Sequence, residues 1–294
     1  MPERSDHARG MLLTATGISI VSPDALLLRL MSSGTFVVVF WRGLLSACVL
    51  FSWISANRGR DTMTAFLAIG WIGVIAAGLN VVTAVLFVEA IKQTTVANVL
   101  VIVGAQPICA AVLSAIVLRE RIARGTLIAA AVVATGLVVV FHGALGRGGI
   151  LGDLMAFGAM LCVALRYVLF RFARHVDMLP SVVLGGLLTA VIVAPLVNPF
   201  SVSARDLILL VVMGAILMPL GQIMLTAAPR YVPVPEIALI VLLEAVLAPT
   251  WVWLVLGEVP PVETVYGGAL IIGTLAVHFT LMTRRTRKRV TNSP

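Results

Sequence analysis

The segment from Val96 to Val139 occurs twice in this chain. Shifted by 138 residues it lies without a gap on Val234 to Val277, pairing Ile102 with Ile240, Ala110 with Ala248 and Val117-Leu118 with Val255-Leu256. Glu120 falls on Glu258, and one polar residue interrupts each apolar run near its middle, Gln106 in the first copy and Glu244 in the second. A repeat of this length means two copies of one folded unit, so any architecture for the chain must be built twice from related halves.

The solvent for those halves is lipid. Hydrophobic residues make up 60% of the chain and charged residues 12%, and the mean hydropathy is +1.09, well outside the range of ordinary soluble domains. Ten runs have the length of a bilayer-crossing helix, near 10–30, 33–54, 64–90, 95–117, 125–142, 150–172, 180–199, 206–228, 234–256 and 262–282. The first follows Arg4 and Arg9 as a signal peptide would, but no small-residue cleavage site follows it, so it counts as a span.

The net charge of +8 does not indicate nucleic acid, because no soluble domain remains to carry a basic face. The basic residues sit in short connections. With the N-terminus inside, the outer connections hold only Arg29, Lys92, Arg147 and Arg205, while Arg42 and Arg166 lie within spans. The other fifteen of the 21 are then cytoplasmic, and both termini are predicted inside. The repeat copies occupy spans four and nine. Five is an odd separation, so the halves insert in opposite senses, and Arg119, Arg121 and Arg124 follow the first copy where Gly257-Glu258-Val259-Pro260-Pro261 follows the second. The expectation is an all-α integral membrane protein of ten transmembrane helices in two inverted five-helix repeats, residues 1–145 and 146–294.

Ten spans in two inverted halves, Thr94-Thr95-Val96-Ala97-Asn98 leading through Gln106-Pro107 to Leu118-Arg119-Glu120, and the echo ending Leu256-Gly257-Glu258, resemble the EamA family of the drug/metabolite transporter superfamily. The resemblance covers nearly the whole chain. It implies a secondary transporter of the cell inner (plasma) membrane that exports an amino acid or similar small metabolite by alternating access. An uptake carrier for a nucleotide-like or vitamin substrate is the nearer alternative and an intramembrane enzyme the remote one. One departure from the family pattern is Glu244-Ala245 in place of a Glu-Pro-like pair, with Pro249 downstream, which predicts a kink displaced by about one turn.

Intramembrane polar residues are the candidates for function, since each must find a partner or line water. Asn98, Ile102 and Gln106 share one helical face, and the repeat places Glu236, Ile240 and Glu244 identically. Gln106 and Glu244 fall at mid-span, where inverted-repeat transporters hold substrate. Gln106 serves either the substrate or an interhelical hydrogen bond, whereas a midplane carboxylate is costly unless protonated, paired or wetted. Protons are therefore the candidate coupling ion. Asn80, Thr83 and Phe87 line a small-and-polar stripe in span three that suits a cavity wall or close packing equally. Gln222 occupies span eight beside Pro219, and Tyr167 lies in span six next to Arg166, which is placed to snorkel to the cytoplasmic end. Asp24 follows Pro23 as a helix end or a gate, and Arg42 calls for a carboxylate that the sequence does not name. Asn80, Gln106, Tyr167, Gln222 and Glu244 are the primary cavity set; Asp24, Thr83, Phe87, Asn98 and Glu236 are secondary. Cys48, Cys109 and Cys162 stand singly, the histidines form no metal pair, and there is neither a Walker loop nor a GxSxG elbow. No cofactor, metal or catalytic residue is expected, and the oligomeric state is left open.

The inverted arrangement has a direct test. Single cysteines replacing Ile122 and Pro260, in a background lacking the three native cysteines, should react with an impermeant thiol reagent from opposite sides of intact membrane. Labelling from the same side would contradict the inversion.

Overall fold

The computed structural model describes residues 2–94, 99, 102–119, 124–141, 149–199 and 201–257, with isolated positions 266, 269–270, 273–274 and 277. Its α-helices are α1 (Pro2–Val21), α2 (Asp24–Leu30), α3 (Thr35–Arg58), α4 (Thr62–Ala68), α5 (Gly70–Gln93), α6 (Gln106–Val117), α7 (Arg124–Phe141), α8 (Ile150–Phe172), α9 (Leu179–Val193), α10 (Ala204–Val211), α11 (Met218–Ala227), α12 (Val234–Val241) and α13 (Glu244–Leu256). Among the described residues, seven helical stretches are long and apolar enough to cross a membrane. α6 and α7 occupy the stretches expected for spans four and five, and the expected tenth span falls mostly outside the described residues.

Two local departures from the expected spans have clear backbone causes. The third span begins at Gly70, not near 64, because Gly70 takes φ +54°, a left-handed turn that glycine adopts without steric penalty, and this separates the short α4 from α5. In the eighth span a π-helical turn, Val212–Leu217, connects α10 to α11. Pro219 has no N–H to donate and its ring crowds the carbonyl four residues back, so the turn before it widens.

Packing follows a two-fold pattern. α5 lies along α8 as α11 lies along α1, α3 pairs with α9, and α6 pairs with α12. The correspondence reaches single residues. A Cβ on Gly10 would collide with Tyr231 and Val232, and one on Gly152 with Gln93 and Thr94; 93 and 94 become 231 and 232 on adding the same 138. Each half thus uses a glycine early in its first helix to let the turn before the repeated segment sit against backbone. At the α3–α9 crossing, a Cβ on Gly43 would stand 2.9 Å from the Gly186 carbonyl oxygen, and one on Gly186 would stand 2.8 Å from that of Gly43.

One contiguous core fills the centre, running from Leu50 and Ile54 through Ala110, Ala164 and Val168 to Val234 and Ile237. Polar clamps close both ends. Ser32 and Ser33 direct four hydrogen bonds of 2.7–3.0 Å onto one oxygen of Asp206, and at the other end Asp177 receives Arg58 at 2.8 Å and Arg230 at 2.9 Å.

The glycine crossing sets an expected stability effect. Gly43→Ala should destabilise the protein by about 1–3 kcal/mol through overpacking, whereas Gly34→Ala, where a Cβ meets nothing within 4 Å, should be near neutral. Thermal unfolding of the two variants in detergent measures the difference; equal stability would show that the crossing is looser than described.

Candidate functional site

Both repeated spans are broken at their polar residue. Ala105 donates to Ile102 O at 3.0 Å, and Ile108 and Cys109 both donate to Ala105 O. In the second copy Leu243 donates to Ile240 O at 2.9 Å, and Val246 and Leu247 both donate to Leu243 O. Every atom pair is related by 138. α6 therefore restarts at Gln106 and α13 at Glu244. Proline explains the first break, since Pro107 cannot continue the ladder, but the second copy has Ala245 in its place. The displaced kink expected at Pro249 is not found: α13 runs through that residue, and the chain turns at Leu242 and Leu243. The break belongs to the architecture of the span, and proline is dispensable for it.

Around the break at Glu244 sits a partly buried charge cluster. Asp24 opens α2 after the interruption at Pro23 and is 6% exposed. Its Oδ2 receives Arg42 Nη1 at 3.0 Å, and Arg42 Nη2 reaches the Met218 sulfur at 3.2 Å. Glu244 lies within electrostatic reach of both Asp24 and Arg42, and Tyr167 within reach of Glu244. Asp24 Oδ1 is buried without a partner. Three helix irregularities, at Pro23, at the π-turn that ends just before Met218 and at Leu243, thus surround one arginine. Asp24 stands at a helix end and is also the counter-ion that Arg42 requires.

Arg166 differs from the expectation of snorkelling. It stands six residues before the end of α8 and donates to Asn80 Oδ1, ten residues into α5. Those ends of α5 and α8 coincide, so at about 1.5 Å per residue the guanidinium reaches towards the middle of the membrane and away from the interface. Its Cζ lies 5.7 Å from the centre of the Tyr167 ring, a cation–π contact. Asn80 and Tyr167 are therefore gathered by Arg166, and Tyr167 links them to Glu244.

The remaining candidates are more scattered. Gln106 is buried and its Nε2 lacks a partner. Gln222 is half-buried on α11, with no side-chain hydrogen bond among the described residues. Thr83 turns back onto the Leu79 carbonyl of its own helix at 2.7 Å, and Phe87 is exposed. Glu236 shares a face with Glu244 but not its surroundings: it is 4% exposed and holds His7 Nε2 at 2.9 Å, fastening α12 to the start of α1. This places Glu236 in a packing contact at one end of the molecule. Asn98, Glu120 and Glu258 lie outside the described residues. Arg42 and Arg166 were absent from the candidate set, although depth could have found the first pair: Asp24 and Arg42 both fall near the outer third of adjacent spans.

These features define a multi-pass helical membrane protein with interrupted spans meeting near mid-depth. The model of the EamA-like transporter family matches residues 9–142 and again 150–280, and the chain belongs to that family of membrane transporters. A solved structure titled "Crystal structure of protein" superposes with a TM-score of 0.82 at 16% identity, covering 94% of this chain and 98% of its own. At that identity the likeness establishes the fold. No curated protein matches the chain.

Removing one member of the Asp24–Arg42 pair should leave a charge stranded in the membrane. Arg42 is 37% exposed by its side chain, so Asp24→Asn should cost about 1–3 kcal/mol, between the values for exposed and fully buried pairs. Asp24→Asn with Arg42→Met should recover most of the loss. Thermal denaturation of the single and double variants decides it, and a double variant no more stable than the single would show the pair is not the dominant interaction.

Proposed function

We propose that the protein is an inner-membrane secondary transporter that moves amino acids or similar small metabolites, in the direction of export, by alternating access. In this reading residues 1–145 and 146–294 are the two inverted halves, both termini face the cytoplasm, and the halves rock about a central site between Tyr167 and the start of α13. The observation that supports it most is the pair of helix breaks at Gln106 and Glu244. Interrupted helices at mid-membrane are tolerated where they face protein or a water-filled cavity, and they are the usual seat of substrate in inverted-repeat carriers. Gln106, Glu244, Asn80, Tyr167 and Gln222 are the residues assigned to the site. The resemblance to EamA transporters supports the cargo class and the direction.

Glu244 is assigned the coupling role, because it is the half-buried carboxylate at the break and its described surroundings give it no ion pair. A protonated Glu244 offers a neutral site and an ionised one an anionic site, so proton binding and cargo binding at that position are linked. Exchange and net flux of a panel of amino acids and related metabolites in proteoliposomes test this, with and without an imposed pH gradient. Glu244→Gln should retain exchange near the wild-type rate while losing the response to the gradient. A variant that keeps its full gradient response removes Glu244 as the coupling residue, and the absence of flux for the whole panel in the wild type overturns the transport reading.

A further inference from the structure

The two-fold relation sets Asp24 and Arg166 in corresponding places, and their surroundings are not alike. Gly10 and Gly152, matched by their contacts, give an offset of 142 for the first helices of the halves, and 24 then corresponds to 166. The reciprocal contact of Gly43 with Gly186 fixes the second helices at 143, so Arg42 corresponds to Gly185. The third helices follow the repeat at 138, which matches Asn80 with Met218. One contact has its image in the other half: Arg42, paired with Asp24, reaches Met218, and a Cβ on Gly185 would stand 3.0 Å from the Cβ of Asn80, the residue that holds Arg166. The first half places an acid beside an arginine. The second carries an arginine at the place of the acid and a glycine at the place of the arginine.

Arg166 is consequently a mid-membrane cation with no counter-ion among the described residues. Among the described residues no carboxylate lies in ion-pair distance of it; its contacts are the neutral Asn80 oxygen and the Tyr167 ring, and its Nε is buried with no acceptor. An arginine in that position is expensive and normally paired. A guanidinium also presents its donors in a planar fork suited to a carboxylate or a phosphate. Asn80 and Tyr167 hold the fork in place while leaving Nε free.

We propose that Arg166 binds an anionic oxygen group of the cargo, a carboxylate or a phosphate, which supplies the counter-ion that Gly185 cannot. This rests on the transport reading above and adds to it the chemistry that the site selects. Glu244, within electrostatic reach of Tyr167, is the group assigned to the opposite end of such a cargo.

Matched compounds test it with the full-length protein: leucine against leucinamide and isopentylamine, and glycerol 3-phosphate against glycerol, each measured by proteoliposome flux and by thermal shift of the detergent-purified protein. The wild type should favour at least one acid over its analogue lacking the anionic group by roughly tenfold or more, the strength expected of hydrogen bonds to a charged group. Which acid wins separates carboxylate from phosphate. Arg166→Gln should abolish the preference, Arg166→Lys should keep part of it, and Arg166→Gln should melt no lower than wild type without ligand, because it removes an unpaired charge. Wild type that does not distinguish acids from the analogues lacking the anionic group in either assay overturns the proposal even if those analogues are transported. So does an Arg166→Gln variant that keeps the preference, or one that melts lower with the preference intact, which would mark a packing residue. Failure of flux for every compound counts against the transport reading, while the thermal shifts still decide Arg166.

Discussion

A peptide chain in hydrocarbon must satisfy its backbone internally, and this protein leaves the helix twice at the depth where water is least available. The obligation falls at Ala105 and Leu243, where the same short-range bonds, 138 residues apart, turn the chain and let it resume. Much of the remaining architecture can be understood from that constraint. Backbone at a break cannot face lipid, and α6 and α12 pack against each other, with α8 and α1 flanking them. The polar residues that open the new helices, Gln106 and Glu244, are carried inward with them. Glycines at the crossings allow the approach, and the serine–aspartate and arginine–aspartate clamps at the two ends fix the helices around it.

The charges show how an inverted repeat acquires polarity. Two halves of the same fold place residues 24 and 166 equivalently, yet one is an acid neutralised by Arg42 and the other an arginine held, among the described residues, by Asn80 and Tyr167. A symmetric scaffold with an asymmetric charge pattern has two chemically different ends to its central site. That difference, more than the scaffold, decides what such a carrier can hold and which of its contacts a proton can alter.

The all-helical, two-repeat membrane architecture was legible in the sequence because the same signals were written twice: span length and a gapless repeat that aligned Gln106 with Glu244. The helix breaks were legible only by half. Pro107 announces the first, but the second carries Ala245, and the nearby Pro249 points to the wrong turn. Side-chain partners were the least legible, since they depend on the reach of long residues between helices distant in sequence. Arg166 read as a residue near an interface because its Cα is there, while its guanidinium extends towards Asn80. Glu236 read as the neighbour of Glu244 because helical spacing puts both on one face, but two turns separate them along the axis and His7 claims the first.

The central claim is that the paired breaks form one cargo site. An experimental structure in a lipid nanodisc with a transported compound bound examines it most directly. Cargo density should lie between Tyr167 and Glu244, touching the first turns of α6 and α13, with both spans interrupted at residues 105 and 243. Cargo bound elsewhere, or either span continuous through its break, would contradict the account.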